Sequence, residues 1–169
     1  MLEKINVAKY EHLLALAKSH ADVDFAALEA TLALLLVAEE VQNAMEHNLG
    51  CFNLSRGRFK VLLELMMASD SSLTPADLAA KVEVSRGTMT GLLDALEKEE
   101  FIQRKPSADD RRTILIRITA EGLELIQRML PENFARTGKL MQRLDMDAKR
   151  TLVDLLVKVK QGIGEYQGL

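Results

Sequence analysis

Apolar residues recur at helical spacing over most of this chain. Residues 2 to 19 place Leu2, Ile5, Leu13, Leu16 and Ala17 among Lys and Glu, which predicts a short amphipathic helix. The stretch from His20 to Asp24 then offers a turn and an N-cap. A long helix is predicted from Phe25 to about Asn48, where Phe25, Leu28, Leu32, Leu35 and Leu36 carry the helical period and Val37, Val41, Ala44 and Met45 widen it. So wide a stripe exceeds what one small domain can cover and points to a helix buried between subunits. Gly50 suits the left-handed position that ends such a helix. Ser55 can cap the next helix, which runs through Phe59, Leu62, Leu63, Leu65 and Met66, with Met66-Met67 read as core packing. Residues 69 to 72 read as a loop. Near the other end, Ala120 to about Leu144 predicts a helix bent or restarted at Pro131. Asp145 caps a last helix carrying Leu152, Leu155, Leu156 and Val159, and Gly162, Gly164 and Gly168 read as a frayed tail.

Between these helices the pattern shortens. Thr74 is an N-cap with Pro75 at the first helical position, where its missing N–H costs nothing. Asp77 favours the positive helix end, and Leu73 and Leu78 form a hydrophobic staple. The device repeats at once: Ser85 is an N-cap, and Val84 and Met89 are the staple. Only Ala80-Lys81-Val82-Glu83 separates the two helices, so they must cross steeply, as in a helix-turn-helix. On the second helix Met89, Leu92, Leu93 and Leu96 share one face and point inward. The opposite face carries Arg86, Gly87, Thr90, Gly91 and Asp94, with Thr88 near its edge. Two glycines on an exposed helix face each cost on the order of 1 kcal/mol relative to Ala, which suggests that something approaches the backbone there.

A two-stranded ribbon is predicted next. Residues 101 to 104 lead into a polar tip from Lys105 to Arg112, and residues 113 to 119 alternate, with Ile114, Ile116 and Ile118 on one side.

Composition, chain termini and charge change this picture in four ways. Only 4% of residues are aromatic and there are 3 Pro, which favours long packed helices. A single Cys, Cys51, leaves no internal disulfide and reads as a spectator thiol. No signal-like N-terminus and no apolar run near 20 residues is present, so a cytoplasmic protein without a membrane partner is expected. The net charge of -3 argues mildly against nucleic acid, but its distribution argues for it. Between residues 104 and 117 five basic residues (Arg104, Lys105, Arg111, Arg112, Arg117) face two acids (Asp109, Asp110), a local charge of +3. Arg at the tip of a protruding hairpin suits a narrow minor groove. The polar end of the second helix fits a major groove about 12 Å wide. There Arg86 can take guanine or a phosphate. Thr88 and Thr90 can bond base edges or phosphates, or touch a thymine methyl.

These residues resemble the MarR-type regulators of bacteria and archaea over about residues 25 to 160. The sharpest part is Asp110-Arg111-Arg112 followed by Ile118-Thr119-Ala120-Glu121-Gly122. This is similar to that family's wing signature, an Asp-x-Arg at the wing tip and then Leu-Thr-x-x-Gly opening the next helix. Leu78-Ala79 through Val84-Ser85, Thr88-Met89 and Leu96 are similar to its helix-turn-helix. The resemblance implies a mainly α fold with a small β-hairpin wing, a winged helix-turn-helix flanked by long N- and C-terminal dimerisation helices. It divides the chain into an N-terminal helical extension (1–22), a dimerisation helix (23–53), a winged helix-turn-helix DNA-binding domain (54–122) and C-terminal dimerisation helices (123–169). It implies a homodimeric regulator, more often a repressor, on a pseudo-palindromic site in double-stranded DNA. Ser85, Arg86, Gly87, Thr88, Thr90 and Gly91 would be the recognition-helix contacts and Lys105, Asp110, Arg111 and Arg112 the wing contacts. Arg112 would sit at the wing tip with Asp110 orienting it, and Thr74 would contact phosphate. A small aromatic or anionic ligand between the dimer helices and the reading unit is a further implied partner. Two positions depart from the family: Glu100 stands where Gly is usual, and Gly91 where a larger polar or basic residue is common.

No cofactor, metal or catalytic group is expected. His12, His20 and His47 lack ligand spacing, and no phosphate-binding Gly loop or nucleophile elbow occurs. Two other classes remain open: a ligand sensor in which DNA is secondary, and a helical dimerisation protein with a degenerate wing and little or no DNA binding.

Overall fold

The computed structural model describes residues 10–19, 23–68, 72–107, 110 and 112–168. The expectations for residues 1–9 and 20–22 of the extension, for Ser69, Asp70 and Ser71, and for the wing residue Arg111 therefore lie outside the described residues. The elements follow in the order α1 (Glu11–Lys18), α2 (Phe25–Gly50), α3 (Arg56–Met67), β1 (Ser72–Leu73), α4 (Pro75–Val82), α5 (Arg86–Lys98), β2 (Ile102–Pro106), β3 (Ile114–Ile118), α6 (Ala120–Leu140) and α7 (Met146–Gln167). The fold is mainly α with one small antiparallel sheet.

Helix starts are set by short side chains that accept a backbone N–H three residues on. Ser55 accepts from Arg58 at 3.3 Å, Thr74 from Asp77 at 3.1 Å, Ser85 from Thr88 at 3.1 Å, and Asp145 from Ala148 at 2.8 Å. Each such cap contributes about 1 kcal/mol.

Helix ends follow another rule. α2 does not stop at Gly50 in a left-handed turn. It runs through Gly50, and the left-handed residue is Asn53, with φ 55°. The Leu54 N–H then donates back to the Leu49 carbonyl at 3.1 Å. α4 and α5 end the same way, on Glu83 (φ 61°) and Glu100 (φ 62°). Val84 N–H donates to Ala79 at 3.1 Å, and Phe101 N–H to Leu96 at 3.0 Å. These are Schellman closures, in which the apolar residue after the left-handed one folds back onto the helix. A left-handed backbone costs an L-residue roughly 1–2 kcal/mol. Replacing Glu100 with Gly is therefore expected to raise the unfolding free energy by about 0.5–1 kcal/mol, part of the relief being offset by the entropy of Gly in the unfolded chain. A urea midpoint that falls in Glu100→Gly would contradict this account of the turn.

α4 also extends to Val82, so the link to α5 is Glu83-Val84-Ser85 rather than residues 80 to 83. The sheet has three strands in the order β1-β3-β2, not two. Ser72 and Leu73, read as the end of a loop and a staple residue, pair with Arg117 and Ile116 of β3. They occupy the edge that β3 would otherwise leave open.

One core holds these pieces together. Leu62 and Leu65 of α3, Leu78 of α4, Met89, Leu93 and Leu96 of α5, Ile102 and Ile116 of the sheet, and Ile126 of α6 are all almost fully buried. Met66 packs against this core, whereas Met67 is 60% exposed. α6 runs unbroken from Ala120 to Leu140 with Pro131 inside it, so no restart occurs there. α7 continues through Gly162 and Gly164 to Gln167 instead of fraying. None of its residues is buried. Along it Val153, Leu155, Leu156, Val159 and Ile163 stand open to solvent, as do Leu35 and Val37 of α2.

Candidate nucleic-acid interface

The wing is anchored at both ends of its hairpin. β2 and β3 pair from Ile102↔Ile118 to Pro106↔Ile114. Beyond them Ser107 N–H donates to Thr113 O at 2.8 Å. Asp110 shapes the tip through the backbone rather than through the guanidinium of Arg112. Its carboxylate accepts the Arg112 N–H at 2.9 Å and the Thr113 hydroxyl at 3.1 Å. The carboxylate thereby sets the direction in which Arg112 leaves the turn, and the Arg112 side chain stays exposed.

The hairpin base is tied to the end of α5. Thr119 Oγ1 donates to the Glu100 carbonyl at 2.7 Å and accepts the Gly122 N–H at 3.1 Å, which caps α6. Thr119 N–H donates to the Phe101 carbonyl at 3.0 Å. A Cβ on Gly122 would stand 2.2 Å from that same Phe101 oxygen. The Thr-x-x-Gly spacing is thus explained by one contact: Thr and Gly clasp the two carbonyls where α5 gives way to β2.

Four of the predicted contact residues, Thr74, Arg86, Thr90 and Arg112, come together, while Ser85, Gly87, Thr88, Gly91, Lys105 and Asp110 are not among the residues that line their hollow. Thr74 and Ala76 at the start of α4, Arg86 and Thr90 of α5, and Arg112 and Ile114 of the wing line a single open hollow of about 510 Å³. Two helix N-termini open on this hollow, each bearing a partial positive charge. Among the described residues, neither Arg86 nor Arg112 pairs with a carboxylate. The hollow is therefore cationic inside a chain of net charge -3. Lys105 stands exposed on β2.

On α5 several hydroxyls already have partners. Ser85 Oγ lies 2.8 Å from Thr88 Oγ1. Thr90 Oγ1 donates to the Arg86 carbonyl at 3.0 Å, so the groups it still offers outward are oxygen lone pairs and a methyl. Gly87 and Gly91 are exposed. A methyl at Gly87 would come no nearer than 3.9 Å to Ser85 Oγ, and one at Gly91 would meet nothing within 4 Å. No packing within the chain calls for glycine at either position.

One cluster escaped sequence reasoning. Arg104, counted above with the cationic tip, forks onto two carboxylates of α5, Asp94 at 2.6 Å and Glu97. The bond to Asp94 raises the Arg104 pKa above the usual guanidinium range. The tip charge thus rests on residues further out. The spacing of Asp94 and Glu97, one helical turn apart, was the available signal, but its partner lies on another element. Arg58 makes a second tie. It reaches Glu99 at 2.6 Å and the Asn53 carbonyl at 2.6 Å, joining the end of α5 to the turn after α2. Cys51 is exposed, with its thiol 3.7 Å from the His47 carbonyl. Among the described residues no helix is long and apolar enough to cross a membrane.

Comparison with known proteins agrees with this geometry. The sequence model of the MarR family matches residues 54–114, from just before α3 to the first residue of β3. The HTH-type transcriptional repressor YetL of Bacillus subtilis (strain 168) is 33% identical over 155 residues, covering 92% of this chain and 93% of its own. Among solved structures, AbsC, a MarR family transcriptional regulator from Streptomyces coelicolor, superposes with a TM-score of 0.71 at 20% identity, covering 83% of this chain and 93% of its own. Sco3205, a MarR family transcriptional regulator from the same organism solved in complex with DNA, gives a TM-score of 0.70 at 19% identity, covering 80% and 88%. The two structures attest the fold, and the family match together with the 33% identity to YetL over 92% of the chain attests the kinship: this chain belongs to the MarR family of winged helix-turn-helix regulators.

Proposed function

We propose that this protein is a homodimeric, sequence-specific double-stranded DNA-binding regulator, a repressor, acting on a pseudo-palindromic operator. The observation that carries the reading is the shared hollow: Arg86 and Thr90 of α5 and Arg112 of the wing open onto one cationic concavity. The N-terminal half of α5, from Ser85 to Gly91, enters the major groove, where Arg86 takes guanine or phosphate. Thr90, its proton engaged, accepts from an amino group of adenine or cytosine or meets a thymine methyl. Thr88 lies at the edge of this face. The wing, with Lys105, Arg111 and Arg112, follows the flanking minor groove, and Thr74, whose hydroxyl proton the Asp77 carboxylate holds at 2.7 Å, would have to release it to meet a phosphate. Residues 54–122 form this reading unit, and 23–53 with 123–169 pair two copies. The open apolar faces of α2 and α7 support the pairing, because exposed Val and Leu in such number call for a partner surface. The related repressor YetL and the DNA complex of Sco3205 support repression and duplex binding respectively.

Selection of bound duplexes from a random pool tests the reading. The expected result is an inverted repeat with half-sites about one helical turn, roughly 34 Å, apart. Sedimentation should show a dimer. No enrichment, or no salt dependence of binding, would favour a helical dimerisation protein with a degenerate wing.

The bare glycines supply a sharper test. Gly91→Ala is expected to raise the unfolding free energy by about 1 kcal/mol, since Gly91 packs against nothing. The same change should weaken binding to the selected duplex by about tenfold, because the methyl stands between the helix backbone and the base edges. Gains in both stability and affinity would remove the close approach from the proposal.

A second reading concerns release. A hollow of about 330 Å³ lies between α2 and α6, with Val41, Met45 and Leu140 as apolar wall and Arg136 and Lys139 as cations. Arg136 bonds Asn48 and Glu132. A small aromatic or anionic compound matches these walls. Titration with benzoate-like acids should lower duplex affinity, and duplex should lower acid affinity by the same factor.

A further inference from the structure

Arg104 invites assignment as a DNA contact, since it opens the basic stretch that continues into the wing. Its surroundings point elsewhere. Ile102 and Arg104 share the face of β2 turned toward α5, Ile102 buried at 2% exposure and Arg104 half-buried. The next two residues, Lys105 and Pro106, are exposed. Arg104 is thus the outermost point at which β2 still grips the helix. The grip is a fork onto Asp94 and Glu97, one turn apart on α5. A planar guanidinium bonding two carboxylates at once fixes direction as well as distance. An exposed ion pair of this kind adds little to stability by itself. Its consequence is geometric: a ribbon held at its base by Phe101 and Thr119 and again at Arg104 leaves the body at one angle, and that angle carries Arg112 to the hollow shared with Arg86.

We propose that Arg104 is a positioning residue for DNA binding, which meets no DNA and holds the wing at a set angle to the recognition helix through Asp94 and Glu97. The inference rests on the DNA-binding reading above.

The test uses the full chain and the selected duplex, with affinity measured over a range of salt. Arg104→Gln is expected to bind about tenfold more weakly, and in an Arg112→Ala background to leave the slope of log affinity against log salt where Arg112→Ala alone puts it. A residue that itself neutralised phosphate would take roughly 0.9 from that slope for each protomer. Arg104→Lys should resemble Arg104→Gln, because an ammonium is a point charge on a flexible stem and does not fix the direction of the ribbon as the planar guanidinium does. In the Arg112→Ala background Arg104→Gln should also cost clearly less affinity than in the unaltered protein, since the Arg112 guanidinium it aims is already gone. A loss confined to folding would not produce that non-additivity. A further fall in the salt slope in the Arg112→Ala background, additive losses, affinity equal to the unaltered protein, or full rescue by adding Asp94→Asn and Glu97→Gln each overturns the proposal. The last would show that Arg104 only masks two repelling carboxylates. If the unaltered protein bound no duplex, the DNA-binding reading would fail and take this one with it; if it bound and Arg104→Gln bound equally, only this one would fail.

Discussion

Gly122→Ala is expected to lower the unfolding free energy by about 3 kcal/mol. The added Cβ would stand 2.2 Å from the Phe101 carbonyl oxygen and 3.0 Å from Ile118 Cγ1. The first contact is with backbone, so no rotamer change relieves it. Forced overpacking costs typically 1–3 kcal/mol. Moving the Phe101 carbonyl also strains the bond it accepts from Thr119 at 3.0 Å, worth about 1 kcal/mol. A loss of this size is a large fraction of the 5–15 kcal/mol that a domain ordinarily has. It should be read as a fall in urea midpoint at unchanged slope and fixed protein concentration. Gly162→Ala is the control. It too lies inside a helix, but a methyl there meets nothing within 4 Å, so it should stabilise the chain. A Gly122→Ala midpoint equal to that of the unaltered protein would show that the clasp between α5, β2 and α6 is loose.

Arg112→Ala is expected to weaken duplex binding about 100-fold without changing the melting temperature. In the proposed dimer two wings are altered at once, and each lost arginine contact contributes on the order of 1–3 kcal/mol, with about 1.4 kcal/mol per factor of ten. Arg112 is exposed, and the bond holding its turn runs from its backbone N–H to Asp110, which Ala preserves. The loss should therefore fall on binding alone. It should vary modestly between operator sequences, and the salt slope should drop by roughly 2 for the dimer. Thr90→Val should do the reverse, keeping the salt slope and changing which base is preferred at the position it reads. Equal affinity for Arg112→Ala and the unaltered protein would remove the wing from the interface.

Several features were legible in the chain because their physics is local. A capping side chain and the N–H it accepts are three residues apart, so Ser55, Thr74, Ser85 and Asp145 could be read one window at a time. The same holds for the inward face of α5, whereas the role of Asp110 came only from the family resemblance and proved to run through the Arg112 backbone N–H. The wing-tip and Thr-x-x-Gly signature could be recognised as well, although only the distances at Gly122 explain it. Helix ends were less legible. Asn53, Glu83 and Glu100 take the left-handed position because Leu54, Val84 and Phe101 must turn back onto packed surface. Gly50 offered that position where no such apolar residue followed at once. The glycines near the C-terminus misled for another reason: two glycines at about 1 kcal/mol each do not by themselves end a helix of 22 residues that Asp145 caps.

By itself, then, the order of residues determined the helix starts, the buried faces and the cationic hairpin, since each depends on neighbours within about one or two turns. Tertiary structure decided the rest. It added Ser72 and Leu73 to the edge of β3 and paired Arg104 with α5 instead of leaving it in the tip charge. It also brought Thr74, Arg86 and Arg112 to one hollow. Those arrangements join groups far apart along the chain, and only the closing of a common core brings such groups within bonding distance.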